Sequence, residues 1–288
     1  MERQDRIKVF WETVGCASKG FFINPDGKKI EIPSKFNGVA IDSATYYDKD
    51  ITSNIVFEEL PKFDTKLTVV NMDCLYAAQN LIDMGFSPVV INNASFKRPG
   101  GGVERGSGAQ EENIFRRSNL YESLYRFSEY LAKENGLPVE EKQYPLPLEY
   151  GAIYSPSISV FRNSEDKNYS FLDKTYVMDF ITIAAIKNPT LVDGKLTQRD
   201  AEIMKGKIKM MLNLGLYWEN DAIVLGAFGC GAYGNPPEEI ARLFKEVLDQ
   251  EEYRNKFSRI VFAILDDGNS HRPHNPRGNY LPFKEILK

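Results

Sequence analysis

The chain has 288 residues, of which 42% are hydrophobic and 26% are charged, and its formal net charge at pH 7 is -4. This is the composition of a globular protein, and the length allows one large α/β domain or two smaller ones. The negative charge argues against a broad surface for long nucleic acids, because such a surface is normally basic.

No apolar run approaches the roughly 18 residues of a membrane span, and the start MERQDRIKVFWETV lacks the basic-then-apolar order of a signal peptide. Cys16, Cys74 and Cys230 are too far apart for a disulfide framework of a small secreted domain or for CxxC metal spacing. We therefore expect a cytoplasmic protein with free thiols and no membrane partner.

Residues 1–60 are predicted to be an N-terminal elaboration of the fold. A helix is predicted from about residue 6 to residue 14, and the sequence NPDG at 24–27 supplies a turn between two strand-like segments. From residue 61 the pattern changes to strands alternating with helices. We expect residues 1–288 to form a single domain, with residues 61–288 as its core.

The next elements alternate between strand and helix. KLTVVNM is predicted to be a strand, and Asp73 is a candidate N-cap for a helix that ends near Met84. PVVINNAS is predicted to be a short buried strand that runs directly into the sequence RPGGG. After this loop, Leu120, Leu124, Phe127 and Leu131 have the spacing of one helix face.

The second half of the chain repeats this alternation. AIYSPSISVFR and YVMDFITIAAI are predicted strands, and Thr197 is a candidate N-cap for the helix that follows. The strand DAIVLGA, the helix EEIARLFKEVLDQ and the strand RIVFAIL complete the pattern. It predicts an α/β sheet covered on both faces, with ligands at the carboxyl ends of strands.

Residues 229–234 (GCGAYG) match the GxGxxG pattern of dinucleotide-binding proteins, after a predicted strand and before a helix. The acid expected about 20 residues later is missing, because the next strand ends only at Asp266 and Asp267. Glycines and a following helix nevertheless suit a phosphate, since the backbone can approach closely and the helix start offers free N–H groups. An NAD-dependent oxidoreductase and a turn without a ligand stay as alternatives.

The glycines at 100–102 also follow a predicted strand, and no GK[ST] of a P-loop accompanies them. The sequence QEE at 110–112 follows after seven intervening residues, at the predicted start of a helix, where acids ordinarily interact with the helix dipole. Carboxylates beside a phosphate-binding loop would repel the phosphate, so we expect them to interact with another part of the ligand. This combination predicts a reactive acid and a hydroxyl-binding acid, hence a sugar next to a diphosphate.

These two loops resemble those of a known family. The spacing of GGG and QEE at 100–112 resembles the GGG-x(6–8)-QEE signature of poly(ADP-ribose) glycohydrolases, and its flanks are similar to the shorter bacterial type. VINNASFKRPGGG resembles the family's strand and first loop, and GAFGCGAYGNPP resembles its diphosphate-binding loop. The resemblance covers about residues 65–270.

The resemblance implies a macrodomain, a three-layer α/β/α sandwich with a mixed central sheet, here with an N-terminal helical extension. It implies hydrolysis of the ribose–ribose O-glycosidic bond of poly(ADP-ribose), mainly from chain ends, without a metal or cofactor. Glu112 would act as the catalytic acid and then as the base, Glu111 would bind ribose hydroxyls and Gln110 would hold the motif. The other implied ligand-binding residues are Gly100, Gly101, Gly102, Phe228, Gly229, Cys230, Gly231, Ala232, Tyr233, Gly234 and Asn235.

The expected partners are ADP-ribose, poly(ADP-ribose) and ADP-ribosylated macromolecules. A hydrolase of single ADP-ribose units on proteins or nucleic acids is an alternative with the same fold. A non-catalytic ADP-ribose reader is a third possibility, against which the two intact acids count, because binding alone needs neither.

Several other residues allow two interpretations each. His271 and His274 near Asp266 and Asp267 could be metal ligands, but the absence of a third imidazole and the presence of Pro273 favour a polar loop. Cys230 is expected to be a small packing residue rather than a nucleophile. The cations near the first loop could contact polymer phosphates or be solvated; they are Lys97, Arg98, Arg105, Arg116 and Arg117.

Overall fold

The computed structural model describes residues 1–33, 35–36, 39–266, 268 and 270–288. The α-helices of this part of the chain are α1 (Arg3–Lys19), α2 (Cys74–Asp83), α3 (Gln110–Arg117), α4 (Leu120–Leu124), α5 (Glu129–Glu134), α6 (Gln198–Tyr217), α7 (Pro237–Leu248) and α8 (Tyr280–Ile286). Among these described residues, no helix combines the length and apolar character that crossing a membrane requires.

The strands range from short two-residue pairs to the long β8 and β9. They are β1 (Phe21–Ile23), β2 (Lys29–Glu31), β3 (Lys35–Phe36), β4 (Val39–Ala40), β5 (Thr45–Tyr47), β6 (Lys66–Val70), β7 (Pro88–Asn93), β8 (Ala152–Arg162), β9 (Phe171–Ile183), β10 (Leu191–Val192), β11 (Lys195–Leu196), β12 (Ala222–Leu225) and β13 (Arg259–Ala263).

The chain is a mixed α/β protein with a central sheet of seven strands flanked by helices, which confirms the predicted fold class. One part of the sheet has the order β5-β8-β9, and the N–H of Asn163 donates to the carbonyl of Ser170 in the short β8–β9 connection (2.8 Å). The other part has the order β7-β12-β13-β6 and is parallel. Each glycine loop continues the chain from the carboxyl end of a parallel strand, β7 or β12.

Local signals in the sequence predicted several boundaries correctly. Strands β1 and β2 pair antiparallel around the predicted turn, where the N–H of Lys28 donates to the Asn24 side chain (2.8 Å). The Asp73 carboxylate accepts the N–H groups of Leu75 and Tyr76 at the start of α2. The Thr197 hydroxyl likewise accepts an N–H in the first turn of α6. These contacts satisfy donors that a helix start otherwise leaves open.

The continuous helix predicted from Leu120 to Leu131 is wrong. All four apolar residues of the predicted face are buried, but the chain forms α4, a 3-10 turn and then α5. The break lies at Ser128, whose backbone is extended (φ -141°, ψ 105°). The N–H of Glu129 there donates to the Gln143 side chain (2.7 Å), so a tertiary contact replaces the helical one.

The described chain separates into two compact units. Unit 1 consists of Met1–Tyr46, Ala94–Leu146 and Ile153–Thr182. Its packing includes the ring of Phe22, which stacks on Phe161 and Phe171 with centroid distances of 5.6 and 5.0 Å. This cluster joins the β1–β2 hairpin to β8 and β9.

Unit 2 consists of Tyr47–Asn93, Pro147–Ala152 and Ile183–Lys288. The ring of Phe244 on α7 meets that of Phe262 on β13 edge to face at 5.0 Å, and Phe283 on α8 packs against both. These aromatic contacts fix α7 and α8 against the parallel part of the sheet.

Unit 2 also buries a lysine, Lys207 on α6, whose exposed fraction is 1%. Burial lowers the pKa of Lys207 from its ordinary value of 10.5 to about 8, and the charge of Glu149 acts in the opposite direction. The folded state therefore binds the lysine proton less tightly than the unfolded state does. Stability is lower below about pH 8 and rises with pH between about 8 and 10.5.

We expect Lys207→Met to raise the free energy of unfolding at pH 7 by up to about 3 kcal/mol, because the cost of a buried ammonium is removed. The stability gain of the wild type between pH 8 and pH 10.5 should be smaller in this variant. Urea unfolding at several pH values measures both effects, with the half-buried Lys209→Met as the control. Equal pH dependence in Lys207→Met and wild type would contradict the assignment.

Candidate active site

The glycine loop at 100–102 lies over the first turn of α3, and both carboxylates of that turn bind its backbone. Glu111 accepts the N–H of Ser95 on one oxygen (2.7 Å) and that of Gly100 on the other (3.0 Å). Glu112 accepts the N–H of Gly102 on Oε1 (2.9 Å). The carboxylates therefore hold the loop, and their charge-assisted hydrogen bonds are each worth about 1.5–3 kcal/mol.

The glycines are needed because the backbone passes so close to these side chains. Gly101 has φ +53°, and a Cβ there would lie 2.6 Å from Oε1 of Glu112 and 3.0 Å from Oε2 of Glu111. Gly100 has φ +72°, and a Cβ there would lie 2.7 Å from the ring of Phe115. Both the left-handed backbone and the lack of space exclude a side chain.

The two acids differ in the hydrogen bonding of their carboxylate oxygens. Both oxygens of Glu111 accept backbone N–H groups, whereas Oε2 of Glu112 is buried and has no hydrogen-bond partner in the described part of the chain. A buried carboxylate oxygen without a partner is uncommon, and such groups occur at catalytic positions. Gln110, the first residue of α3, is partly exposed beside this pair.

Helix α1 supports α3 through buried polar contacts. The Thr13 hydroxyl donates to the carbonyl of Arg116 (2.6 Å), and Nε of Arg116 donates to the carbonyl of Arg6 (3.1 Å). The Arg116 guanidinium also donates to the carbonyl of Ser107 in the loop. Burial lowers the pKa of Arg116, whereas Tyr169 and, to a smaller extent, the charge of Glu112 act in the opposite direction.

Neither interpretation offered for the cations near the loop holds for Arg116 and Arg117. Both side chains are fully buried, and Nε of Arg117 donates to the carbonyl of Arg162 (3.2 Å). They are structural because each guanidinium binds carbonyls that burial removes from water. Arg98 forms an ion pair with Glu104 (2.8 Å). Only the exposed side chains could meet a polymer freely, and Lys97 and Arg105 are of this kind.

The second glycine loop, at 228–235 in unit 2, is closed by Asn235. Its amide donates to the carbonyls of Ile186 (2.8 Å) and Gly229 (3.1 Å). Gly229 has φ +75°, and a Cβ there would lie 2.5 Å from the Cβ of Ala185. The loop is thus fixed against the segment after β9, and α7 begins just beyond it at Pro237.

The side chains of this loop divide into buried and accessible ones. Phe228 and Cys230 are buried, while Tyr233 is partly exposed and Ala232 is exposed. Burial raises the pKa of the Cys230 thiol well above its ordinary value, which suits a packing residue rather than a nucleophile. The Lys187 ammonium lies 5.8 Å from the centre of the Tyr233 ring.

The two histidines have separate partners. A ring nitrogen of His271 lies 3.2 Å from the carbonyl of Pro276, and Nε2 of His274 donates to the carbonyl of Cys230 (2.8 Å). Asp267 lies outside the described residues. Within the described ones, no group of three or more His, Cys, Asp or Glu side chains could hold a metal ion. Sequence reasoning missed the contact of His274, because no local spacing relates residues 230 and 274.

The sequence was compared with models of protein families. Residues 11–163, more than half of the chain, match the family described as microbial-type PARG, catalytic domain. The chain belongs to this family. It is a glycosidase that acts on poly(ADP-ribose). The matched residues include the first glycine loop with Glu111 and Glu112 and end before the second loop. No curated protein matches the sequence.

Solved structures of poly(ADP-ribose) glycohydrolases from two bacteria are similar to the fold. The enzyme of Thermomonospora curvata bound to the inhibitor ADP-HPD has a TM-score of 0.77 and 25% identity, over 98% of this chain and 99% of that chain. The enzyme of Deinococcus radiodurans in complex with ADP-ribose has a TM-score of 0.66 and 25% identity, over 86% of this chain and 94% of that chain. The likeness therefore extends well beyond residues 11–163.

We expect Gly101→Ala to lower the free energy of unfolding by about 3 kcal/mol or more. The rate of ADP-ribose release from the polymer should fall at least tenfold. The added Cβ would push Glu112 and Glu111 from the loop. Gly27→Ala is the matched control, since Gly27 has φ +78° with open space around a Cβ; it should cost only about 1–2 kcal/mol. Urea unfolding and activity assays compare the two, and equal losses would contradict the proposed steric clash.

We expect Thr13→Val to lower stability by about 1–3 kcal/mol and activity at least threefold, because the buried Arg116 carbonyl loses a donor and α3 shifts. Thr65→Val is the control, since the Thr65 hydroxyl donates to the carbonyl of Phe257 over the same 2.6 Å in unit 2. It should lower stability alone. Similar activity in both variants would show that Thr13 does not position the site.

Proposed function

We propose that this glycosidase cleaves the ribose–ribose O-glycosidic bond of poly(ADP-ribose), releasing ADP-ribose mainly from chain ends, with Glu112 as general acid and base. One observation carries the assignment to Glu112. Its Oε1 is fixed by the N–H of Gly102, while its buried Oε2 has no partner in the described part of the chain. One oxygen thus sets the orientation of the carboxyl group, and the other is available for proton transfer.

The chemistry needs such a group. Cleavage of a glycosidic bond passes through an oxocarbenium-like state, and the leaving oxygen must receive a proton as the bond breaks. Glu112 donates that proton and, as a carboxylate, then takes one from the attacking water. A carboxyl group held by a backbone N–H stays in place through both steps, which favours the reaction by preorganisation.

Glu111 is proposed to bind ribose hydroxyls. Its two oxygens accept backbone N–H groups, and a carboxylate oxygen can accept more than one hydrogen bond, so the same group suits a ribose hydroxyl. Gln110 is proposed to hold the motif at the start of α3. The backbone of Gly100, Gly101 and Gly102 is proposed to lie against the ligand's ribose and phosphates, where a side chain would obstruct it.

The second loop is proposed to bind the diphosphate. The family resemblance of GAFGCGAYGNPP supports this role, as does a backbone whose glycines let N–H groups approach an anion. The residues assigned to it are Phe228, Gly229, Cys230, Gly231, Ala232, Tyr233, Gly234 and Asn235. Phe228 and Cys230 would take part through their backbones because their side chains are buried.

Further proposals concern the setting of the enzyme. We propose one catalytic domain, with residues 1–60 as an elaboration and residues 61–288 as the macrodomain core. ADP-ribosylated macromolecules are the proposed partners. A cytoplasmic location is supported by Cys16, Cys74 and Cys230, which form no disulfide among the described residues.

The deciding experiment compares the wild type with Glu112→Gln. We expect the variant to lose turnover by at least a thousandfold but to bind ADP-ribose within about threefold of wild type, because Gln keeps an oxygen for the Gly102 N–H but supplies no acid. Chromatography measures free ADP-ribose released from poly(ADP-ribosyl)ated protein, and calorimetry measures binding. The exposed Glu129→Gln serves as the control.

The same assay tests the alternatives. Appreciable release by Glu112→Gln would contradict its role as the acid. Release by wild type only from mono-ADP-ribosylated proteins would assign the enzyme to single ADP-ribose units. ADP-ribose binding without release from either substrate would make it a reader.

A further inference from the structure

The carbonyl of Cys230, inside the second glycine loop, accepts two side-chain hydrogen bonds from one distant segment. Nε2 of His274 donates to it over 2.8 Å and the amide of Asn275 over 3.1 Å. The ring nitrogen of His274 must carry the proton, because a carbonyl oxygen only accepts. Two donors from one segment restrict the direction of this carbonyl, and hence the orientation of the peptide group, more than one donor would.

The segment that supplies these donors is itself fixed within unit 2. The Asp266 carboxylate accepts the N–H of Asn279 (2.7 Å) and the hydroxyl of Ser270 (3.0 Å). The Asn275 side chain is buried, accepts the N–H of Arg272 (2.7 Å) and donates to Asn279 (2.8 Å). Asp266 therefore bridges Ser270 and Asn279, and these contacts fix the segment that carries His274 and Asn275 beside the Cys230 carbonyl.

The orientation of the carbonyl determines that of the next N–H group. In a trans peptide the C=O and N–H bonds point in opposite directions, so the N–H of Gly231 points away from His274 and Asn275. Neither Gly231 nor Ala232 has an acceptor for its N–H among the described residues. Gly231 is partly exposed and Ala232 is exposed. Two successive N–H groups are thus left for an anion.

We propose that His274, with Asn275, is a positioning residue that turns the Cys230–Gly231 peptide so that the N–H of Gly231 donates to a phosphate oxygen of the ADP-ribose diphosphate. This rests on the proposed function of the second loop. His274 does not touch the ligand; it acts through the Cys230 carbonyl. Without the hydrogen bond from His274 the carbonyl is held by Asn275 alone, so the peptide rotates more easily, and a carbonyl oxygen turned toward the anion would repel it.

The test compares His274→Phe, which keeps a ring but donates nothing, with His274→Gln, whose amide can donate near the position of Nε2. His271→Asn is the matched control, because His271 lies in the same segment and contacts Pro276 rather than the glycine loop. Calorimetry measures the Kd for ADP-ribose, and polymer hydrolysis measures kcat and KM. The unfolding midpoint of each variant shows whether the fold is intact.

We expect His274→Phe to raise Kd and KM about tenfold while kcat stays within about threefold. His274→Gln should recover most of the affinity, and His271→Asn should match the wild type. An unchanged Kd in a folded His274→Phe would overturn the proposal, as would equal losses in the Phe and Gln variants. Absence of ADP-ribose binding by the wild type would instead overturn the proposed function, and the positioning role with it.

A second measurement needs no variant. In wild type with ¹⁵N-labelled glycine, the amide resonance of Gly231 should shift downfield when ADP-ribose is added, as expected for a new hydrogen bond to an anion. A Gly231 resonance that does not move on saturation with ADP-ribose would overturn the proposal.

Discussion

The candidate site depends on the hydrogen bonds between the two carboxylates of α3 and the backbone of the first glycine loop. Glu111 and Glu112 accept three N–H groups from residues that precede them by ten to sixteen positions. Acids in the first turn of a helix usually interact with the helix dipole. Here they also replace the water that would otherwise solvate a chain with left-handed φ at Gly100 and Gly101. The glycines and the paired acids occur together because the glycine backbone leaves space for the carboxylates, and the carboxylates accept the N–H groups of that backbone.

This constraint extends outward into unit 1. The loop can keep its place only if α3 does, and α3 is tied to α1 by the Thr13 hydroxyl and by the buried guanidinium of Arg116. A buried charge is tolerated only where carbonyls and carboxylates surround it. Arg116 therefore links three segments, namely α1, α3 and the chain around Ser107.

The two glycine loops are held by different means. In the first, the carboxylates of Glu111 and Glu112 accept backbone N–H groups, an arrangement that suits the proposed role of Glu112 in proton transfer. In the second, the side chains of Asn235, His274 and Asn275 donate to carbonyl oxygens, and the N–H groups of Gly231 and Ala232 have no acceptor among the described residues. The side-chain donors that hold the second loop carry no negative charge, so they would not repel the diphosphate that this loop is proposed to bind.

Much of the architecture could be predicted from local sequence. The turn at residues 24–27, the caps Asp73 and Thr197, and the boundaries of β8 follow from interactions within a few residues, and the spacing of GGG and QEE is specific enough to indicate the family. Short-range hydrogen bonds and side-chain periodicity determine such features whatever the rest of the chain does.

Only the tertiary structure decided the remainder. The predicted helix is interrupted at Ser128, and the side chains of Arg116 and Arg117 are buried. Both oxygens of Glu111 but only one oxygen of Glu112 have a hydrogen-bond partner among the described residues, and His274 donates to the Cys230 carbonyl. These outcomes depend on contacts between residues up to 110 positions apart, as between Arg116 and Arg6. The pattern of a local segment carries no information about such partners, since burial and pairing are determined by the packing of the whole chain.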